Sequence, residues 1–167
     1  MSLYLDISCA TYNNRNVCKG GGVGAYMKES IVFKRRKDVE SSQPDFEHMW
    51  LEIPGKNRNS KLLPGLLYRS TRILNSNDWI EKIEDLLSNI VPTWEVMFVT
   101  TGYMNINMFN VSDPLVSRYT GTLQSFNLTQ HVSKPTRLTP TSRTLIDHLI
   151  SNDPQKTVTL MFYHVRP

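Results

Sequence analysis

The sequence predicts a layered α/β domain. Three observations carry this: short β-type runs bounded by Pro, Gly and Asn, two segments with helical apolar periodicity, and the interleaving of the two kinds along the chain. A length of 167 residues suits one domain with a real core. Hydrophobic residues make up 40% and charged residues 20%, the balance of a globular chain and not a disordered one.

The elements follow in order. Gly20-Gly21-Gly22-Val23-Gly24 is expected to turn tightly into a strand over residues 23–27. Residues 46–53 and 62–68 read as two more strands. Pro64 assigns the second of these to a sheet edge or a bulge, because proline has no N–H to give a ladder. Over residues 78–90 the apolar positions Trp79, Ile83, Leu86, Leu87 and Ile90 share one helical face. Asp78 with Glu81 fits a capping box at its start, and Pro92 ends it. Val96-Met97-Phe98-Val99 reads as a buried strand that runs out into Thr100-Thr101-Gly102-Tyr103-Met104-Asn105. A second helix should follow Asp113-Pro114, an N-cap and a proline at the first helical position, with Leu115, Tyr119, Leu123 and Phe126 facing inward. The last strand is Leu145-Ile146-Asp147-His148-Leu149-Ile150. A buried carboxylate is costly unless paired, so Asp147 is expected to have a specific partner.

Charge and motifs narrow the chemistry only a little. The formal net charge of +4 is compatible with a polyanionic partner without identifying one. Lys34-Arg35-Arg36-Lys37 reads as a solvated turn between strands in preference to a phosphate-binding patch. No apolar run has the length of a membrane span. The N-terminus lacks the basic start of a signal peptide, and Asp6 breaks any apolar core, so a reducing, intracellular setting is expected. Cys9 and Cys18 would pair only in an oxidising one, and with no His at ligand spacing they make no zinc site. The glycine run lacks the Gly-Lys-Ser/Thr and following helix of a phosphate loop. His48, His131, His148 and His164 show no metal-ligand spacing, and no Gly-x-Ser-x-Gly or Cys/His arrangement marks a nucleophile.

Several blocks go further. They are Lys19-Gly20-Gly21-Gly22-Val23-Gly24-Ala25-Tyr26, residues 46–53, Leu66-Leu67-Tyr68-Arg69, the first helix, and Phe126-Asn127-Leu128-Thr129-Gln130. The most specific block is Pro135-Thr136-Arg137-Leu138-Thr139-Pro140-Thr141-Ser142 leading to Leu145-Ile146-Asp147-His148, an order that no general fold constraint demands. On these residues the chain resembles the endonuclease domain of LINE-type (non-LTR) retrotransposons, within the endonuclease/exonuclease/phosphatase superfamily. The resemblance implies a truncated four-layer α/β sandwich, two packed sheets flanked by helices. It implies DNA as partner and an ancestral Mg²⁺, held by carboxylates, that neutralises the scissile phosphate. No membrane and no specific protein partner are implied, and the location would be nuclear if the chain is functional.

Residue by residue, Tyr68 matches the family tyrosine that positions the phosphate. Asn105 matches the phosphate-binding Asn of a Gly-Asp-x-Asn motif, and Asp147 matches the carboxylate that orients the catalytic His. Arg69 joins Asn105 as a nucleic-acid contact. The departures are equally specific. Gly102-Tyr103-Met104-Asn105 places a neutral phenol where the motif has its water-orienting Asp. The family's leading Asn and metal-binding Glu segments, and its closing Ser-Asp-His, find no match. Residues 158–167 can be back-translated so that an adjacent frame resembles the segment before the family's Ser-Asp-His, so the tail from about Thr157 is expected to be out of frame and His164 is not read as the catalytic His. The expected organisation is therefore an N-terminal remnant over 1–18, a partial domain over 19–156 and a divergent tail over 157–167. The first ordered strand is expected at the glycine run, and stability is expected to be marginal. Mg²⁺ binding and cleavage are expected to be lost. The alternatives are a non-catalytic nucleic-acid-binding module and a decayed fragment with no selected activity.

Overall fold

The computed structural model describes residues 7–13, 22–55, 57, 60–94 and 96–153. Cys18, His164 and the tail over 157–167 lie outside the described residues, as do Gly20 and Gly21 of the glycine run.

A six-stranded mixed sheet organises the chain. Its strands are β3 (Lys34–Arg35), β4 (Glu47–Glu52), β5 (Leu62–Tyr68), β6 (Met97–Tyr103), β7 (Thr129–Gln130) and β10 (Asp147–Ser151), in the order β3-β4-β5-β6-β10-β7. Only β5 and β6 run parallel. The helix between them, α2 (Ser76–Ile90), supplies the crossover that a parallel pair requires. A separate hairpin of β1 (Ile7–Asn13) and β2 (Val23–Lys28) lies against β4 and β5. The glycine run therefore does not open the first strand. Ile7, Thr11 and Tyr12 favour extended backbone, and β1 pairs with β2 along its length. A small hairpin, β8 (Arg137–Leu138) with β9 (Arg143–Thr144), precedes β10.

Pro64 sits in a central strand and not at an edge. Ile53 and Leu62 exchange both main-chain hydrogen bonds, at 2.9 and 3.0 Å. Alternate residues of β5 from Leu62 onward thus turn their N–H toward β4, and Pro64 is one of them. The β4–β5 ladder runs from Glu47↔Tyr68 to Trp50↔Gly65, lapses opposite Pro64, and is taken up again only at the Ile53↔Leu62 bridge. The missing donor costs one rung on one side while the parallel ladder to β6 continues through Pro64↔Val99.

Helices α2 and α3 (Pro114–Ser125) cover one face of the sheet. Trp79, Ile80, Ile83, Leu86, Leu87 and Ile90 of α2 pack with Trp50, Leu63, Leu67, Phe98 and Ile150 of the strands. Burying each large side chain stabilises by roughly 1.5–3 kcal/mol. The N-cap of α2 is Asn75, not Asp78: its Oδ1 accepts from the N–H groups of Asn77 and Asp78, both at 3.0 Å. Asp78 instead accepts from the Asn75 amide at 2.8 Å, and Pro92 lies in the 3₁₀ turn that ends the helix. Asp113 does cap α3, accepting from Leu115 N–H at 2.9 Å. The buried stripe of α3 is Val116, Tyr119, Thr122 and Leu123, with Leu115 and Phe126 only partly covered at its margin.

The basic run is neither a free patch nor a plain turn. Lys34 and Arg35 form the edge strand β3, and Lys37 opens the short helix α1 (Lys37–Glu40). Arg35 pairs with Glu40 at 2.8 Å, and Arg36 with Asp38 at 2.7 Å and Glu52 at 3.2 Å. Local acids thus neutralise both arginines. Hydrogen bonding to Asp38 raises the Arg36 pKa further.

Candidate functional site

The strand register gathers four side chains in one row. Tyr68 ends β5 and faces Tyr103 at the end of the parallel β6. Tyr103 faces Asp147, the first residue of β10, and Tyr68 faces Glu47, the first residue of β4. Directly paired residues point to the same side of a sheet, so Glu47, Tyr68, Tyr103 and Asp147 form a row across four strands. Alternation from the buried Trp50, Leu67, Phe98 and Ile150 puts the row on the face away from α2 and α3. All four residues are half-buried. The two tyrosine rings stack, with centroids 5.7 Å apart and planes 22° from parallel.

Asn105 joins the row from the loop beyond β6. The N–H groups of Met104 and Asn105 both donate to the carbonyl of Ile146, at 2.9 and 3.3 Å. Asn105 takes a left-handed conformation, φ 51°, which asparagine tolerates better than most residues. Its Oδ1 accepts the Tyr103 hydroxyl at 3.3 Å. Tyr68, Asn105 and Asp147, far apart in sequence, therefore converge around Tyr103 at one end of the sheet.

Arg69 belongs to the opposite face. Its guanidinium donates to the Asn105 carbonyl at 2.9 Å and to Ser76 Oγ at 2.7 Å, and lies 5.6 Å from the Trp79 ring centre. The residue is 4% exposed and its Nε has no hydrogen-bond partner. Burial lowers its pKa from the usual arginine value. A phosphate contact would require this side chain to leave its internal partners. Its geometry is that of a brace beneath Asn105.

Asp147 differs from the buried, paired carboxylate expected. The main-chain N–H groups of Ile146 and Asp147 both donate to Thr136 Oγ1 at 3.1 Å, which fixes the start of β10. The Asp147 side chain has no hydrogen-bond partner among the described residues, and at half-burial water can solvate it. The neighbouring His148 points to the helix side and is fully enclosed: Nε2 lies 3.0 Å from the Ile106 carbonyl and Nδ1 3.2 Å from the Tyr119 hydroxyl. Burial lowers the His148 pKa and raises that of Tyr119. This histidine is a satisfied core group, as is His48, held between the Glu40 carbonyl and Trp50 Nε1.

The two carboxylates of the row are not placed to share one Mg²⁺ ion. The two carboxylates of the row stand three strand spacings apart, about 14 Å, whereas one Mg²⁺ holds its oxygens at about 2.1 Å. Among the described residues no three His, Cys, Asp or Glu side chains gather as a metal-binding group.

Sequence reasoning missed Glu47 and the pairing of the tyrosines. Period-two alternation in β4 could have placed Glu47 opposite Trp50 in facing, but which strands are neighbours is set by tertiary register.

No family model matches the sequence, and no curated protein sequence matches it. Solved structures do match its fold. The endonuclease domain of TRAS1, a telomere-specific non-LTR retrotransposon, aligns with TM-score 0.62 at 11% identity, covering 85% of this chain and 65% of that one. An endonuclease/exonuclease/phosphatase family protein from Leptotrichia buccalis aligns at 0.56 and 11%, covering 87% and 60%. TDP2 of D. rerio, complexed with a single-strand DNA product, aligns at 0.55 and 12%, covering 86% and 61%. The chain thus spans less than two thirds of the length of each of these structures. Its fold is that of the endonuclease/exonuclease/phosphatase superfamily, a mixed sheet with helices. Among these structures, its fold is similar to that of a retrotransposon endonuclease domain.

Proposed function

We propose that this chain is a retrotransposon-derived, endonuclease-type domain that engages DNA and does not cleave it. The observation that carries the reading is the position of Tyr103, between Tyr68 and Asp147 and bonded to Asn105. The family resemblance calls for a water-orienting aspartate there. A phenol, neutral near pH 7 and hydrogen-bonded through its own proton, does not take a proton from water. Loss of one such acid–base group costs on the order of 10²- to 10⁴-fold in rate. Asn105, held by Arg69 and Ile146, is the residue offered to a phosphate, with Tyr68 beside it.

The test is a paired assay on the purified chain. Supercoiled plasmid and an abasic-site duplex are incubated with Mg²⁺ or Mn²⁺, and DNA binding is followed by anisotropy in EDTA. The expected result is salt-dependent binding without nicking. Metal-dependent nicking that disappears in Asn105→Ala would overturn the non-cleaving reading. Absence of binding to any nucleic acid would overturn the DNA-engaging one.

A further inference from the structure

We propose that Thr139, at the tip of the β8–β9 hairpin, is a phosphorylation site for a proline-directed protein kinase, and that the phosphate weakens the hold of this end of the sheet on DNA. The first half stands on the hairpin alone. The second half rests on the DNA-engaging reading above and adds its regulation.

The hairpin grows out of the candidate site. Thr136 Oγ1 accepts from the N–H groups of Ile146 and Asp147, and Leu145 N–H donates to Asn107 Oδ1 at 3.0 Å. Its base is thus tied to the start of β10 and to the loop after β6. Residues 137–143 are all exposed, Leu138 to 65%. No Asp or Glu occurs between Asp113 and Asp147. Lys134, Arg137 and Arg143 form no ion pair among the described residues. The hairpin therefore presents cations with no local counter-charge, a surface that attracts a polyanion.

The tip is accessible and loosely held. Thr139 N–H donates to the Ser142 carbonyl at 2.9 Å, and Ser142 N–H donates back to Thr139 Oγ1 at 2.9 Å. The two hydroxyl oxygens lie 2.7 Å apart. Water can replace these exposed bonds, and only the pairs Arg137↔Thr144 and Leu138↔Arg143 lie below them, so the tip opens at little cost. A kinase takes its acceptor in an extended stretch with a free hydroxyl. Pro140 biases Thr139 toward extended backbone and offers no N–H, which restricts the site to kinases that accept proline after the acceptor. Thr139 is the one Ser or Thr in the sequence that a proline follows, so such a kinase has a single acceptor here.

In the transfer, the γ-phosphorus of ATP bonds to Thr139 Oγ1 and breaks its bond to the β,γ-bridging oxygen. The hydroxyl proton is released and ADP leaves. The ester carries about −1.5 to −2 charges at pH 7 and sits between Arg137 and Arg143 in the hairpin. It offsets most of the cationic charge there. Its oxygens still offer Ser142 N–H an acceptor, so the turn persists while its charge changes.

The experiment incubates the full chain with ATP and, in parallel, a cyclin-dependent and a mitogen-activated kinase, both proline-directed, and maps phosphate by mass spectrometry. Wild type should gain one phosphate, on Thr139. Thr139→Val should gain none, and Pro140→Ala should be labelled about ten-fold more slowly or less. Circular dichroism establishes that both variants fold. No phosphate on wild type from either kinase, or a folded Pro140→Ala labelled as fast as wild type, would overturn the site. Anisotropy of a labelled 12-base-pair duplex in EDTA reads the consequence. The phosphorylated chain should bind about ten-fold more weakly at low salt, with a salt-dependence slope smaller by about 1–2, and a phosphatase should restore both. Thr139→Val carried through the same treatment should bind as unmodified wild type does. A phosphorylated chain that binds as tightly as the unmodified one would overturn the switch. An unmodified chain that binds no DNA would defeat the DNA-engaging reading and the switch with it, while the labelling still decides the site.

Discussion

Arg69 donates from its guanidinium to the main-chain carbonyl of Asn105 across 2.9 Å, bracing the loop after β6 from the residue that follows β5. The same group reaches Ser76 at the start of α2, so one buried cation joins two strand ends to a helix.

Arg69→Lys should therefore destabilise the fold by about 1–2 kcal/mol, because one ammonium cannot span the carbonyl and the hydroxyl together as a planar fork does. Urea denaturation checks this. An unchanged midpoint would show that the brace contributes nothing.

Acid should weaken the fold before its carboxylates titrate. His48 and His148 are buried, and each faces a carbonyl through Nε2, so Nε2 carries the proton while Nδ1 accepts from Trp50 or Tyr119. Burial lowers both pKa values from the ordinary histidine value, against smaller opposing effects from nearby groups that include Glu40 and Asp147. The unfolded chain takes up these protons near pH 6.5, and the folded chain only at lower pH. Between those limits the unfolded state binds more protons, so stability falls as pH falls. The melting temperature should drop steadily from pH 7.5 to pH 5. A flat profile over that range would contradict the buried neutral assignment.

The two candidate caps of α2 make a direct comparison. Asn75→Ala removes the acceptor of two main-chain N–H groups and should cost about 1 kcal/mol. Asp78→Ala removes only an exposed side-chain contact and the favourable charge in the first turn, a few tenths of a kcal/mol. Thermal melts of the two variants should fall in that order, and the reverse order would restore Asp78 as the cap.

Gly65 marks where β5 passes beneath a tryptophan. A Cβ there would lie 2.3 Å from the ring of Trp50, which is fully buried and stacked on Phe98. Gly65→Ala should cost roughly 1–3 kcal/mol by overpacking. Its measured unfolding free energy should drop accordingly, and a neutral substitution would mean that Trp50 has room to shift.

Much of the fold was legible because burial imposes period. The stripe of α2, the apolar run of β6 and the Asp113-Pro114 start of α3 all report local geometry, and each appears where the pattern puts it. Pro64 was misplaced because its penalty depends on which neighbour its missing N–H would have faced. The cap of α2 was misplaced by three residues because two motifs overlap at Asn75 and Asp78. The site was half legible. Tyr68, Asn105 and Asp147 could be named from motif order, whereas Glu47 and the stacking partner of Tyr68 depend on strand register. The inward turn of Arg69 depends on Trp79 and Ser76, from a helix that the motif does not contain.

Gly102, one residue before Tyr103, has φ 151°, and a Cβ on it would fall 1.8 Å from the carbonyl oxygen of Leu67. The consequence concerns which changes the sheet end can absorb. Side chains at 68, 103 and 147 stand on the half-open face, so exchanging them alters chemistry while the backbone persists. At 102 the neighbouring strand occupies the space that any side chain needs. A library randomised over residues 102 and 103 and sieved for folding alone should thus return glycine at the first position and a broad alphabet at the second. The scaffold would survive the loss, exchange or repurposing of whatever it displays.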